Sequence, residues 1–111
     1  MIYEKIGSDD LSLLDFDKAI QLEPELIHAH FNRGLLYLKK GDYYKAVDDF
    51  TRETQLNPNS RAAQHFKDAV TYYLYNDYDS CWAEIDLLES MRYNISPAFL
   101  KDLKKASGRD K

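Results

Sequence analysis

The stretch Tyr37-Leu38-Lys39-Lys40-Gly41-Asp42-Tyr43-Tyr44-Lys45-Ala46 decides the fold. Glycine at 41 supplies the left-handed residue that closes a helix, and aspartate at 42 supplies a side-chain acceptor that opens the next one. Working outward, apolar residues recur at helical spacing on both sides: Phe31, Leu35 and Leu38 before the turn, Tyr43, Ala46, Val47 and Phe50 after it. So short a connection forces the two helices antiparallel. Gly34 and Ala46 are small where the helices would cross, while Tyr37 and Phe50 are large enough to fill the space around them. Pro58 then ends the second helix and sets the chain for another unit.

That unit repeats. Tyr3, Lys5, Gly7, Asp15, Phe16, Gln21, Leu22 and Pro24 recur 34 residues later as Tyr37, Lys39, Gly41, Asp49, Phe50, Gln55, Leu56 and Pro58. Eight identities over so short an overlap far exceed the one or two that average composition would give. An offset of 35 adds a third unit, with the extra residue in the loop around Asn59-Ser60-Arg61. Phe31 then maps to Phe66, Gly34 to Ala69, Tyr37 to Tyr72, Gly41 to Asn76, Asp42 to Asp77, Tyr43 to Tyr78, Ala46 to Cys81 and Phe50 to Ile85.

Composition agrees with a folded module. Of 111 residues 44% are hydrophobic and 31% charged, with 4 Gly and 3 Pro, which excludes disordered and fibrous classes. A net charge of −4 argues against attraction to phosphate backbones, so no nucleic acid is expected. Nothing approaches the roughly 20 apolar residues of a membrane helix, and Met1-Ile2-Tyr3-Glu4-Lys5 is charged where a signal peptide would be apolar. With a single Cys81, no internal disulfide can form, and a cytoplasmic location is expected.

Residues 27–60, through Ala29, Asn32, Gly34, Tyr37, Gly41-Asp42-Tyr43, Ala46, Phe50 and Pro58-Asn59, closely resemble the tetratricopeptide repeat, a helix–turn–helix unit. Residues 1–26 look like the same repeat without its first eight positions, and residues 62–92 like a divergent third. Three residues depart from the family pattern: Arg33 stands where it favours Leu, Glu53 where it favours Ala, and Tyr93 where it has Pro. The third repeat is thereby left able to depart from the regular stack. The resemblance implies an all-α, right-handed α-solenoid of antiparallel helix pairs, about 2.5 repeats long. Its expected parts are a partial repeat (1–26), a second (27–60), a divergent third (61–95), and a capping helix with its tail (96–111).

The segment from Trp82 through Tyr93 and Ser96-Pro97-Ala98-Phe99-Leu100 to Ala106-Ser107-Gly108-Arg109 is similar to the closing segment of a group of prokaryotic repeat proteins. Ser96-Pro97 opens a helix and Gly108 closes it. Phe99, Leu100 and Leu103 form one stripe, with Lys101, Lys104 and Lys105 left for solvent. A helix of this pattern is expected to cap the last repeat.

Catalytic chemistry has no foothold. His28 and His30 would point about 200° apart on a helix, and His65 belongs to another repeat, so no metal site or cofactor is expected. Cys81 shares its column with Ser12 and Ala46 and reads as a packing residue; Asp9-Asp10 and Asp48-Asp49 read as solvated faces. No Gly-rich phosphate loop or nucleophile elbow is present, and an enzyme is not expected.

By resemblance, the chain is instead an adaptor that binds a peptide segment of a partner protein in the concave groove lined by first helices. The lining would be His28, Phe31, Asn32, Leu35, Leu38 and Lys39 from the second repeat, and Ala63, Phe66, Lys67, Val70, Tyr73 and Leu74 from the third. Phe31 and Val70 could equally pack between repeats. Truncating Leu38 or Tyr73 is expected to weaken binding while the fold persists, and Gly34→Leu to unfold the stack. Some family members grip a C-terminal carboxylate with a five-residue clamp. Asn32 and Lys67 fall on two of those positions, but Ala63 and Met1 occupy two others and the fifth would precede Met1, so no clamp is expected. The alternative reading is self-assembly, as a homo-oligomer or part of a longer array, through the N-terminal apolar positions Ile2, Ile6, Leu13 and Leu14.

Overall fold

The computed structural model describes residues 8–110, and their regular structure is entirely helical. The helices are α1 (Ser8–Leu22), α2 (Ala29–Lys40), α3 (Tyr43–Leu56), α4 (Arg61–Leu74), α5 (Tyr78–Ser90) and α6 (Pro97–Ser107). From α1 to α5 each helix packs on the next, as the repeat period requires of a helical solenoid. None is long and apolar enough to cross a membrane.

The two turns within repeats among the described residues close by the same two hydrogen bonds. Gly41, at φ 85°, donates to Leu38 O at 3.1 Å while Asp42 N donates to Tyr37 O at 2.9 Å. One repeat later Asn76, at φ 63°, donates to Tyr73 O at 3.1 Å and Asp77 N to Tyr72 O at 2.9 Å. This pattern needs a left-handed residue, which explains glycine and asparagine in that column. Gly7, in the same column, lies outside the described residues, as do Met1, Ile2, Tyr3, Lys5 and Ile6. Asp77 caps α5 by accepting from Ser80 N at 3.3 Å, whereas Asp42 starts α3 through its backbone carbonyl alone, 3.0 Å from Ala46 N.

Close helix contact depends on Gly34. A Cβ there would stand 2.8 Å from Phe50 Cε1 and 3.2 Å from the Cβ of Asp49. Phe50 is fully buried and stacks on Phe66 with ring centroids 5.5 Å apart, which joins the second repeat to the third. Ala46, Ala69, Cys81 and Ile85 are buried beside them. Phe16, the counterpart of Phe50 in α1, is only half-buried, and α1 buries no residue at all.

Two departures from the family pattern are structural. Glu53, fully buried, accepts from the backbone N–H of His28 and of Phe31, so the end of α3 caps the start of α2. Arg33 donates from Nε and Nη2 to Asp49 at 2.8 and 2.7 Å and from Nη1 to Asp17 at 3.0 Å, so Asp49, expected on a solvated face, is instead buried against α2. Arg33 therefore ties α2 to both α1 and α3 and keeps its guanidinium charged.

The third departure redirects the chain. After α5 the same two-bond turn forms around Arg92, at φ 68°, where the sequence offers neither Gly nor Asn. α6 follows, ended by left-handed Gly108, and makes little backbone contact with α5, unlike the earlier consecutive helices. Its nearest helical backbone is α2, two repeats' worth of chain away. The helix expected as a cover for the last repeat therefore reaches further, across the side of the solenoid.

Candidate binding face

First helices α2 and α4 lie side by side in the repeat plan, and the residues expected to line the groove project from both. The structure divides them into a buried set and an accessible one. Leu38, Ala63, Phe66 and Val70 are core residues, each no more than 1% exposed. Leu38, expected in the groove, packs in the cluster with Phe50, Phe66 and Phe99 and still borders the cleft described below, since helix spacing alone cannot tell a groove position from an inter-repeat one. Phe31 is half-buried in an aromatic group, its ring centroid 5.7 Å from Phe50, 5.8 Å from Phe66 and 6.4 Å from Tyr93.

The accessible set is His28, Asn32 and Lys39, which are exposed, with Leu35, Lys67, Tyr73 and Leu74 half-buried. His28 sits before α2 rather than on it, at φ 75°, with its side chain 70% exposed and Nδ1 3.8 Å from Glu53. Lys39 pairs with Asp9 of α1 at 3.0 Å. His30 is buried and bonded through Nε2 to Pro24 O at 2.9 Å, so His28 and His30 do not converge. Among the described residues no group of three or more His, Cys, Asp or Glu could hold a metal. Cys81 is fully buried, and burial pushes its thiol up to about 12, where it remains protonated at neutral pH.

Residues from the C-terminal segment complete this face, and sequence reasoning missed them. A cleft of about 180 Å³ is lined by Leu35, Leu38, Lys39 and Phe66 on one side and by Asn94, Ser96 and Pro97 on the other. Beside it Phe99 meets Tyr43 and Tyr73 edge-on, at 5.5 and 5.3 Å between ring centroids. The Tyr43 hydroxyl donates to Asp102, and burial together with that bond raises the phenol above its ordinary range. The signal available in sequence was Tyr93 in place of the family's proline, which marks where the chain leaves its repeat. A larger hollow of about 450 Å³, lined by Glu23, Pro24, Glu25 and Arg52, lies at the α1–α2 connection and gathers no aliphatic or aromatic side chain beyond the proline.

With this geometry in hand, similarity to known proteins is informative. Residues 28–60 match the tetratricopeptide repeat family. Anaphase-promoting complex subunit 3 of Schizosaccharomyces pombe is 30% identical over 91 residues, covering 82% of this chain and 14% of that protein. Superkiller complex protein 3 of Homo sapiens is 26% identical over 98 residues, covering 88% of this chain and 6% of that protein. Tetratricopeptide repeat protein 14 of Mus musculus is 30% identical over 64 residues, 58% of this chain and 8% of that protein. The chain thus spans a small part of the curated relatives it matches. No solved structure matches it significantly.

Proposed function

We propose that this chain, a tetratricopeptide repeat protein, is a protein-interaction module that holds a segment of a partner protein against the face formed by α2 and α4. Two of the relatives it resembles are named as components of multi-protein complexes, which suits such a role. The observation that carries the reading is the composition of the accessible set. Leu35, which lines the open cleft, offers half-buried apolar surface, as do Tyr73 and Leu74, while Asn32 on α2 and Lys67 on α4 are accessible polar residues that can serve as anchors. A partner helix or extended segment would bury its apolar side chains there and meet lysine with a carboxylate. Each apolar side chain fully desolvated contributes around 1.5–3 kcal/mol, so two or three supply about 3–9 kcal/mol before the costs of association, and a micromolar complex needs the polar contacts as well.

A partner segment, once identified, tests this by titration. Asn32→Ala, Leu35→Ala and Lys67→Ala should each weaken binding several-fold with helical content unchanged, and with melting temperature unchanged for Asn32→Ala and Lys67→Ala. Wild-type affinity in all three would remove the reading.

A second reading has its own observation. α1 leaves Leu11, Leu14 and Leu22 exposed, Leu22 by 82%, so the stack presents an apolar flank suited to a second copy or to a neighbouring repeat. Sedimentation equilibrium at high concentration separates the two. A dimer dispersed by Leu14→Asp supports self-assembly, and a monomer throughout excludes the homodimer.

A further inference from the structure

The face assigned above to a partner is partly covered by this chain itself. Beyond Arg92, Tyr93 lays its ring edge-on to Phe31 and Phe66, with the Phe66 centroid 5.8 Å away, and Ile95 enters the core. α6 then seats Phe99 between Tyr43 and Tyr73 and buries Leu103 one turn later. Between them Asp102 accepts from Tyr43, while Lys101, Lys104 and Lys105 face solvent. At the far end Trp82 Nε1 donates to Ser107 Oγ at 3.2 Å, and Arg109 pairs with Asp79 at 2.7 Å. This is the arrangement of an amphipathic helix docked in a groove, supplied in cis.

The fit is incomplete at the point where α6 begins. The Ser96 hydroxyl is buried with no hydrogen-bond partner among the described residues, and it makes no cap bond to α6. Ser96 and Pro97 also form one wall of the open cleft against Leu35 and Phe66. An 11-residue helix holds no structure by itself in water. α6 therefore depends on the face, and the face is not filled by α6.

We propose that α6 is an exchangeable occupant of this face, and that the partner able to displace it is another amphipathic helix of the same chemistry. That chemistry is an aromatic residue, a carboxylate three positions later and an aliphatic residue next to it, as in Phe99, Asp102 and Leu103. The proposal rests on the functional reading above and adds to it the kind of segment bound and the contact that restrains binding. Tethering gives α6 an effective concentration in the millimolar range, so a competitor must overcome that advantage or find α6 weakened.

The test uses the full chain and a labelled peptide of residues 95–110. Phe99→Ala in the chain should raise affinity for this peptide at least tenfold over wild type, and the same substitution in the peptide should abolish binding. Equal affinity for both chains, or no binding to either, would overturn the proposal. Hydrogen exchange on the wild-type chain keeps the test valid should Phe99→Ala misfold. Amides of residues 100–105 should exchange at least tenfold faster than those of residues 66–72, whereas exchange at one common rate would make α6 fixed core and also overturn it. Peptide exchange without any partner mapping to Leu35 would sink the functional reading alone. A partner mapped there with no peptide exchange would sink only the present inference.

Discussion

The two carboxylate oxygens of Glu53 stand 3.0 and 3.1 Å from the backbone nitrogen of His28, so a buried acid from α3 closes the N-terminus of α2. Helix starts usually draw this acceptor from their own N-cap side chain, and His28 makes no such bond. Two N–H donors at the start of α2, those of His28 and Phe31, satisfy the buried carboxyl oxygens in return. Glu53→Ala should leave those donors unsatisfied and cost about 1–3 kcal/mol in urea unfolding. Glu53→Gln, which keeps one acceptor oxygen, should cost less. An unchanged midpoint for Glu53→Ala would mean that water caps α2 equally well.

Arg33 and Asp49 form a second buried polar tie, and its energetics should be asymmetric. Arg33→Leu restores the residue favoured in the family yet strands Asp49, which is 4% exposed. A loss of about 3 kcal/mol is expected, in the range for breaking a buried pair. Adding Asp49→Leu should recover much of that loss. A double variant less stable than the single one would show that Asp49 has an independent role, for instance toward His30, whose Nδ1 lies 3.5 Å from it.

Leu38 and Asn32 lie on the same helix but should behave oppositely. Leu38→Ala removes a core side chain and should cost about 2–5 kcal/mol. Asn32→Ala, at an exposed position, should change stability by less than about 0.5 kcal/mol and show its effect in binding alone. Thermal melts of the two variants decide this. A stable Leu38→Ala chain with impaired binding would return Leu38 to the groove.

Cys81 supplies a pH and labelling prediction. Its thiol is held at about 12 in the fold, first by burial and then by Asp77 and Glu84, against 9.0 for the free group. Below pH 9 the thiol is protonated in both folded and unfolded chains, and stability is unaffected. Between about 9 and 12 only the unfolded chain ionises, so stability falls as pH rises through that window. Tyr43, pushed up by burial and by Asp102, acts in the same direction. Cys81→Ala should lessen the alkaline loss. At pH 7.5 thiol reagents should label Cys81 only as fast as the chain opens, and prompt labelling would contradict its burial.

Most of the fold was legible because its signals are periodic. Gly41 and Asn76 announce the turns through a backbone angle few residues adopt, and Gly34 with Phe50 announces the helix crossing. Arg33 and Glu53 looked like erosion of the pattern, since each contacts residues 16 to 25 positions away and no local signal marks such pairing. The candidate face was legible only by columns. Helical spacing puts Leu35 and Leu38 on one side of α2, but α6 and the next repeat decide which of them is sealed. The path of α6 itself turns on Arg92 in a left-handed conformation, to which its residue type gives no clue.

The central claim is that partners are held on the α2–α4 face, and photo-crosslinking in cells tests it most directly. A crosslinking amino acid at Leu35 should capture a discrete partner protein, while one at Leu14 on α1 should capture none. Capture at Leu14, of this chain or another protein, with nothing at Leu35 would contradict the account and make the exposed flank of α1 the functional surface.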